Sequence, residues 1–241
     1  MKTLLLILAL ACSANAGQMA ATMSGVVGLW HFNEGTGSTT ASAASALGGS
    51  LTSTAWTSGL WGPALSFNGS SSVVTIANNS ATTFTYSYNH TTISMWAKIT
   101  NCKNYGSLFS KGNDAYENAE ILSYGTCRVY LSRRSSNQDY GGEAYGTLKK
   151  DKWVHVVAVF DDWNKRAYIN GVLETEFVGA CATCVSTLSS PTAPIWIGKE
   201  SVAGRFFQGS IDEVALFNRR LYPAEIQRLY TEGLGRHSNA R

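Results

Sequence analysis

The chain has few charged side chains: Asp, Glu, Lys and Arg make up 15% of its 241 residues. Its 19 basic and 16 acidic residues leave a formal charge of only +3. Proteins that bind nucleic acid concentrate basic residues on one face to meet the phosphates, so nucleic acid is not the expected partner. Proline is scarce at four residues, whereas Gly, Trp and Tyr are common. This composition favours short strands and polar turns over helices.

Long apolar runs are missing beyond the N-terminus. Residues 1–16 combine the apolar run Leu4–Ala11 with the small-residue site Ala14-Asn15-Ala16, which predicts a secretory signal peptide followed by a linker at 17–24. No later segment approaches the ~20 apolar residues of a membrane span. We therefore expect a secreted, extracellular protein, periplasmic or surface-attached if bacterial. Lipidation of Cys12 is the alternative interpretation of the same segment.

Only four cysteines follow the predicted signal peptide: Cys102, Cys127, Cys181 and Cys184. An even number in an exported chain indicates two disulfides, with three possible pairings. We favour Cys102–Cys127 with Cys181–Cys184, because each pair lies within one local segment. The spacing of Cys181 and Cys184 also suits a redox motif or half a zinc site, but no βαβ pattern precedes it and export favours disulfides.

The rest of the chain is a series of short β-like runs separated by turn residues. In "ISMWAKI" (93–99) apolar residues alternate with others, which predicts a strand with one buried face. "WVHVVAVF" (153–160) is apolar on both faces, so we place it centrally in a sheet. Asn170-Gly171 between two such runs is a strong hairpin signal. A dozen strands without interleaved helices predict an all-β fold, a two-sheet antiparallel β-sandwich. The strand tryptophans are expected in its core: Trp30, Trp96, Trp153 and Trp196.

One short C-terminal helix is predicted. Pro223 suits the first helical position, Glu225 is placed to reach back to the cap, and Leu221 is placed to pack on Ile226. Gly233 is expected to end the helix, which leaves 233–241 as a tail. We expect this helix to cover one end of the sandwich.

Six segments together resemble a known family: "GLWHFNEGTGST", "GPALSFNGSSSVVTI", "TISMWAKI", "KWVHVVAVFDDWNKRAYINGVL", "IWIGKE" and "FQGSIDEVALFNRRLYPAEIQRLY". Their order and spacing resemble the laminin-G-like jelly roll of the concanavalin A-like lectin and glucanase superfamily, over residues 25–232. The resemblance implies one jelly-roll domain across this range. It is less specific for function, because the fold carries lectins, adhesion modules, glucanases and structural units.

The resemblance also implies one structural calcium ion. Members often bind it through a carboxylate of the last strand and nearby backbone oxygens, which here implies Asp212, with Glu34 or Asn33 and the turn at Gly69. Calcium suits such a set because it accepts six to eight oxygen ligands. Alternatively, Asp212 accepts hydrogen bonds from backbone N–H groups of the N-terminal loop and ties the termini together without metal. The neighbouring Glu213 is expected to face solvent or to pair with an arginine, Arg219 or Arg220.

The sequence does not favour an enzyme. Glycoside hydrolysis needs two carboxylates ~5–9.5 Å apart, and the glucanases of the superfamily obtain them from one strand in a pattern like Glu-x-Asp-x-Glu. No such pattern occurs here. A glycoside hydrolase is therefore the least favoured function.

We expect a non-catalytic binding module for glycans or for adhesion. Sugars stack on aromatic faces while planar polar groups hold their hydroxyls. The Gly-rich loop from Arg133-Arg134 onward supplies such groups together with Tyr140 and Tyr145, so it is the predicted binding site. The alternative is a structural module that binds another extracellular protein in a matrix or surface layer.

Overall fold

The computed structural model describes residues 23–80, 82, 90–102, 105–113, 116–125, 127–132, 134–135, 138–139, 146–161, 164–178, 192–200 and 205–239. Several predicted features lie outside these ranges: the signal peptide at 1–16 with Cys12, the pair Cys181 and Cys184, and the binding-loop residues Arg133, Tyr140 and Tyr145. Within them, Cys102 and Cys127 form a disulfide, which is the first of the two pairs favoured from the sequence. In the described part of the chain no helix is long and apolar enough to cross a membrane.

The described chain forms strands almost throughout. In chain order the elements are β1 (Val26–Trp30), β2 (Thr39–Thr40), β3 (Gly49–Thr52), β4 (Ala55–Ser58), β5 (Pro63–Asn68), β6 (Val73–Ile76), β7 (Thr91–Ile99), β8 (Gly106–Asn113), β9 (Tyr116–Tyr124), β10 (Arg128–Ser132), β11 (Arg134–Ser135), β12 (Gln138–Asp139), β13 (Gly146–Thr147), β14 (Trp153–Asp161), β15 (Asn164–Ile169), β16 (Val172–Phe177), β17 (Ile195–Ile197), β18 (Gln208–Phe217) and α1 (Pro223–Asn239).

Two antiparallel sheets make up the sandwich. The first sheet has the order β16-β15-β14-β7-β18-β5-β4, with β1 also paired to β18. The second has the order β13-β10-β9-β8-β17-β6-β3-β2, and β11 pairs with β12 as a separate ribbon. The main core contains side chains from both sheets, such as Val156 of the first and Ile195 of the second. The predicted two-sheet antiparallel β-sandwich is therefore confirmed.

Side chains alternate along β7 as the sequence predicts, but both faces of the strand are buried, so the prediction of a single buried face is wrong. Met95 and Ala97 lie in the main core between the sheets, so Trp96 between them points to the outer face of the first sheet. Trp30 is fully buried in the main core. Trp153 and Trp196 are only partly buried and do not belong to it. The prediction that all four strand tryptophans fill the sandwich core is correct for Trp30 alone.

A β-bulge interrupts the alternation in β18. Asp212 pairs with Trp96 and Ala215 pairs with Ser94, so β18 carries one residue more than β7 between these two pairs. Glu213 has a φ of 50°, in the left-handed region that non-glycine residues rarely adopt. As a result Ile211 and Val214 both point into the main core, although they are three positions apart. Strict alternation of β18 would have placed them on opposite faces.

The helix begins as predicted. Tyr222 N donates a 2.8 Å hydrogen bond to Glu225 Oε2, which is the reach-back contact of a capping box. Leu221 and Ile226 are both buried in a second apolar cluster, as expected for a staple at the start of a helix. This cluster includes Val157 and Phe217 of the first sheet.

The predicted position and end of the helix are wrong. The second cluster lies on the outer face of the first sheet, so α1 covers that face rather than one end of the sandwich. The helix also continues through Gly233 to Asn239. A Cβ at Gly233 would lie 3.0 Å from the Trp96 ring and 3.2 Å from the Trp61 ring. Gly233 therefore permits close packing of the helix on two tryptophans, and it does not act as a stop signal.

Candidate functional site

Asp212 is buried on the outer side of the first sheet, with 1% of its surface exposed. Leu60 N donates to Asp212 Oδ2 at 3.1 Å and Glu213 N donates to Asp212 Oδ1 at 2.9 Å. Burial raises the pKa of Asp212 to about 7, although these two hydrogen bonds act to lower it. The donors lie in the turn between β4 and β5 and in β18 itself, whereas the sequence pointed to the N-terminal loop.

Glu213 pairs with a histidine. His31 Nδ1 lies 2.7 Å from Glu213 Oε2, and the glutamate side chain is only 12% exposed. Both suggested arginine partners have other carboxylates: Arg219 pairs with Glu225 and Arg220 pairs with Asp161. The prediction that Glu213 faces solvent or pairs with one of these arginines is wrong. The bulge explains this, because the positive φ of Glu213 turns its side chain toward the end of β1.

The other residues implied for calcium lie in two places: Asn33 and Glu34 line one surface pocket, and Gly69 lies farther along the first sheet. Asn33 lies beside the turn between β4 and β5, close to Gly62, whereas Glu34 Oε1 accepts hydrogen bonds from Thr40 Oγ1 and Ala41 N at 2.9 Å. Gly69 follows Asn68, which pairs with Gln208. Since Gln208 is four residues from Asp212, Gly69 lies about 13 Å away along the sheet.

Among the described residues there is no group of three or more His, Cys, Asp or Glu side chains able to hold a metal. The site implied by the resemblance is of another kind, with one carboxylate and several backbone or amide oxygens. In this structure Asp212 accepts from two backbone N–H groups. Calcium binding remains a prediction.

A cavity of about 120 Å³ lies between α1 and the outer face of the first sheet. Its apolar wall consists of Met23, Leu29, Trp61, Trp96, Ala215, Leu229 and Gly233. Its polar wall consists of His31, Ser94, His155, Glu213 and Glu232. We call it the α1 cavity. It combines a largely apolar lining with a few convergent polar groups, which is typical of small-ligand sites.

The turn between β4 and β5 places one tryptophan at this cavity. Gly59 N donates to Gly62 O at 2.7 Å, which closes the turn, and Leu60 is bound to Asp212. Trp61, between them, meets Trp96 edge to face, with ring centroids 5.4 Å apart. Buried Asp212 therefore anchors the turn that carries a wall of the cavity.

Two ring nitrogens at the cavity have no hydrogen-bond partner among the described residues. They are Trp61 Nε1 and His155 Nδ1, and both atoms are buried. A buried polar atom without a partner costs about 1–3 kcal/mol. Trp61 Nε1 carries a hydrogen and only donates. It therefore lacks an acceptor oxygen within the described residues.

His155 also contacts a serine. Its Nε2 lies 2.8 Å from Ser94 Oγ. Its ring packs between neighbours at centroid distances of 5.2 Å from Trp96 and 6.0 Å from Tyr230. Burial lowers the pKa of His155 to about 3. A base this weak takes a serine proton poorly, and no acid orients its Nδ1 within the described residues.

Most of this cavity has no clear signal in the sequence. The face of β7 and β14 opposite the main core carries Ser94, Trp96 and His155. In the sequence these residues cannot be distinguished from those of any other buried sheet face. The one usable signal was "WVHVVAVF", which is apolar on both faces and so requires something to cover each side. The predicted loop site was in a different part of the chain. Arg134 begins β11, paired with Asp139, and its side chain is not described.

A laminin G family model, described as concanavalin A-like lectin/glucanases superfamily, matches residues 67–227. The chain belongs to this superfamily. The matched range runs from the end of β5 into α1 and so includes most of the strands that carry the α1 cavity. No protein with a curated function matches the sequence.

Solved structures share the superfamily fold at low sequence identity. Domain 4 of AbnA, a GH43 extracellular arabinanase from Geobacillus stearothermophilus solved with arabinotriose, has a TM-score of 0.69 at 19% identity, over 85% of this chain and 98% of that one. The binding domain of Paraclostridial Mosquitocidal Protein 1 has a TM-score of 0.70 at 13% identity, over 88% of this chain and 53% of that one.

A structure of botulinum neurotoxin type C, a toxin whose cell entry depends on interaction with two ganglioside molecules, has a TM-score of 0.66 at 12% identity. That match covers 89% of this chain and 53% of the toxin chain. The protein therefore spans about half the length of the two toxin chains. At these identities the likeness establishes the fold alone.

Proposed function

We propose that the protein is a secreted, non-catalytic module that binds a glycan and holds one sugar unit in the α1 cavity. The observation that carries this proposal is the combination, in one cavity, of tryptophan rings, carboxylates and a buried indole N–H without a partner. Sugars present C–H surfaces that pack on aromatic rings and hydroxyls that both donate and accept hydrogen bonds.

A sugar hydroxyl suits the polar wall better than a purely apolar ligand does. One hydroxyl oxygen accepts from Trp61 Nε1, and a neighbouring hydroxyl donates to a carboxylate, Glu213 or Glu232. An apolar ligand would leave the indole N–H unpaired at a cost of about 1–3 kcal/mol. A sugar therefore satisfies groups that the protein itself leaves unsatisfied.

Binding without chemistry is supported by the state of the polar groups. His155, with its pKa lowered to about 3, is a poor general base near neutral pH. Glu213 is engaged with His31. Among the structural relatives, one was solved with arabinotriose and another is described by its interaction with gangliosides. Export is supported by the disulfide between Cys102 and Cys127 and by the predicted signal peptide.

The test begins with a glycan array probed with the mature protein, followed by calorimetric titration of the bound glycan. Trp61→Phe keeps an aromatic ring and removes the N–H, so it should weaken binding about fivefold, which corresponds to one hydrogen bond. Trp196→Phe is the matched control, because Trp196 is partly exposed on the other sheet. Mass spectrometry of the glycan after incubation with the protein would detect any cleavage.

Three results would contradict the proposal. The first is binding to no glycan on the array, and the second is an equal loss of affinity in both tryptophan variants. The third is cleavage of the bound glycan, which would overturn the non-catalytic part alone. Concentration-dependent self-association without glycan, seen by sedimentation, would favour the structural module instead.

A further inference from the structure

The α1 cavity is acidic. Two carboxylates line it, Glu213 from β18 and Glu232 from α1, and its basic side chains are two histidines: His31, which lies against Glu213, and the buried His155. No Lys or Arg is part of that lining. A ligand in the cavity therefore meets negative charge from two sides of the wall, the sheet and the helix.

Both carboxylates are partly withdrawn from solvent. The Glu213 side chain is 12% exposed and lies against His31. The Glu232 side chain is 34% exposed, and its Oε1 lies 3.8 Å from Arg228 Nε, too far for a strong hydrogen bond. Because much of the remaining wall is apolar, charges inside it are screened less than on an open surface.

We propose that the α1 cavity accepts neutral or amine-bearing sugars and rejects sugars that carry a carboxylate or sulfate. This inference rests on the proposed function, since it specifies which sugars enter the same cavity. A like charge brought against Glu213 and Glu232 is repelled and also loses its hydration. A hydroxyl meets no charge repulsion and loses less hydration than a charged group does. An ammonium group also loses hydration, but attraction to both carboxylates and to the tryptophan rings offsets that cost.

The two unpartnered nitrogens support a sugar rather than any small cation. A simple ammonium ion has no oxygen to accept from Trp61 Nε1, so it would leave that donor unpaired. An amino sugar supplies both a positive group for the carboxylates and hydroxyl oxygens for the indole. The cavity thus combines a charge preference with a requirement for an acceptor.

The experiment compares sugars that differ at one group. Methyl glycosides of glucose, glucosamine and glucuronic acid, and the matching galactose series, are titrated into the wild-type protein by calorimetry and by ligand-observed NMR. We expect the uronic acid to bind at least tenfold more weakly than the neutral sugar of its series. The amino sugar should bind at least threefold more tightly.

Charge variants assign the preference to the cavity. Glu232→Gln keeps the size of the side chain and removes one charge, so it should bring the affinities of acidic and neutral sugars closer by about threefold. Glu174→Gln removes a carboxylate from the exposed face of β16 and should leave the affinity ratios unchanged. Thermal unfolding of each variant verifies that it folds.

The outcomes separate the two proposals. Equal affinity for acidic and neutral sugars in the wild type, or equal effects of the two Glu→Gln variants, would overturn the charge preference and leave glycan binding intact. Absence of binding by all six glycosides would overturn the placement of a sugar in this cavity, and the charge preference with it.

Discussion

Leu60 N donates a 3.1 Å hydrogen bond to Asp212 Oδ2, and the two residues are 152 positions apart in the chain. The contact joins the turn between β4 and β5 to the bulge in β18. Gly59 precedes the donor, and a Cβ there would lie only 2.5 Å from the same oxygen. The turn therefore approaches the carboxylate as closely as a backbone without a side chain allows.

The first prediction concerns the stability contribution of Asp212. Its folded-state pKa, about 7, lies above the ordinary value of 3.8, so the folded state holds this proton more tightly than the unfolded state. The stabilisation from this proton is fully present below pH 4 and is lost as pH rises to about 7. Across this range the free energy of unfolding falls by on the order of 4 kcal/mol. Urea unfolding of the wild type and Asp212→Asn from pH 4 to pH 8 should show a difference in stability that changes across this window. A constant difference would contradict the raised pKa.

The calcium prediction is tested at pH 8, where Asp212 is largely ionised. If calcium binds this carboxylate, excess calcium raises the Tm of the wild type and not that of Asp212→Asn. An unchanged Tm with calcium and with chelator would dispose of the calcium prediction. The two backbone hydrogen bonds would then account for Asp212.

A second prediction concerns acid sensitivity at His155. Burial lowers its folded-state pKa to about 3, below the ordinary 6.5, so the unfolded state takes up this proton first. Its contribution to stability is complete above pH 6.5 and is lost as pH falls toward 3. His155→Gln should therefore lose less stability than the wild type between pH 7 and pH 4, measured by urea unfolding. Ser94→Ala is the control, because it removes the partner hydroxyl and keeps the buried imidazole. If His155→Gln lost as much stability as the wild type between pH 7 and pH 4, the lowered pKa of His155 would be refuted.

The third prediction concerns Gly233. At an exposed helix position, Gly→Ala stabilises by about 1 kcal/mol. At Gly233 the new methyl group would press against the Trp96 and Trp61 rings, so Gly233→Ala should instead destabilise the protein by about 1 kcal/mol. Thr231→Ala, at an exposed position of the same helix, should be neutral or stabilising. Stabilisation by Gly233→Ala would show that the helix does not pack on the tryptophans.

A fourth prediction concerns the end of β14. Asp161 is 4% exposed and makes ion pairs with His90, Arg166 and Arg220. Although burial opposes ionisation, hydrogen bonds from Arg220 and Arg166 hold its pKa below the ordinary value. Asp161→Asn leaves these cations without their carboxylate and should cost about 3 kcal/mol by denaturant unfolding at pH 7. Glu176→Gln removes the more exposed partner of Arg166 and should cost less than about 1 kcal/mol. If Asp161→Asn and Glu176→Gln cost the same, the buried ion pairs of Asp161 do not add to stability.

The fifth prediction concerns the disulfide between Cys102 and Cys127, which are 25 positions apart. Loop closure of this size stabilises by about 3 kcal/mol, so the double variant Cys102→Ser/Cys127→Ser should lose that amount in thermal or urea unfolding. The predicted disulfide between Cys181 and Cys184 would close a much shorter loop, so the double variant Cys181→Ser/Cys184→Ser should lose less stability. Thiol titration of the unfolded, unreduced wild type should find no free cysteine; two free thiols would refute the second predicted pair.

Local sequence was sufficient for the regular elements. The alternation in residues 93–99 placed Met95 and Ala97 in the core, and Asn170-Gly171 forms the expected turn, with φ of 51° and 80°. The helix start followed from Pro223 and Glu225. Local sequence did not indicate the short strands β2, β3 and β4, because two to four residues are too few to show an alternating pattern.

Most of the candidate site could not be predicted from the local sequence. Glu213 meets His31 because a bulge turns it, and the bulge is visible only in the register of β18 against β7. Gly233 has the local signature of a helix end, yet two tryptophans from distant segments account for it. The position of Trp61 at the cavity depends on the turn between β4 and β5, which local sequence did not predict.

By itself the sequence determined the all-β sandwich and most of its longer strands, because hydrophobic alternation and turn chemistry depend on neighbours in the chain. The superfamily followed from the resemblance of its motifs and from the family model. Tertiary structure alone decided which face α1 covers, where Asp212 and Glu213 point, and that Trp61, His155 and Glu232 share one cavity. Those features depend on contacts between residues that are tens to hundreds of positions apart, and the residue pattern around any one of them does not record its distant partners.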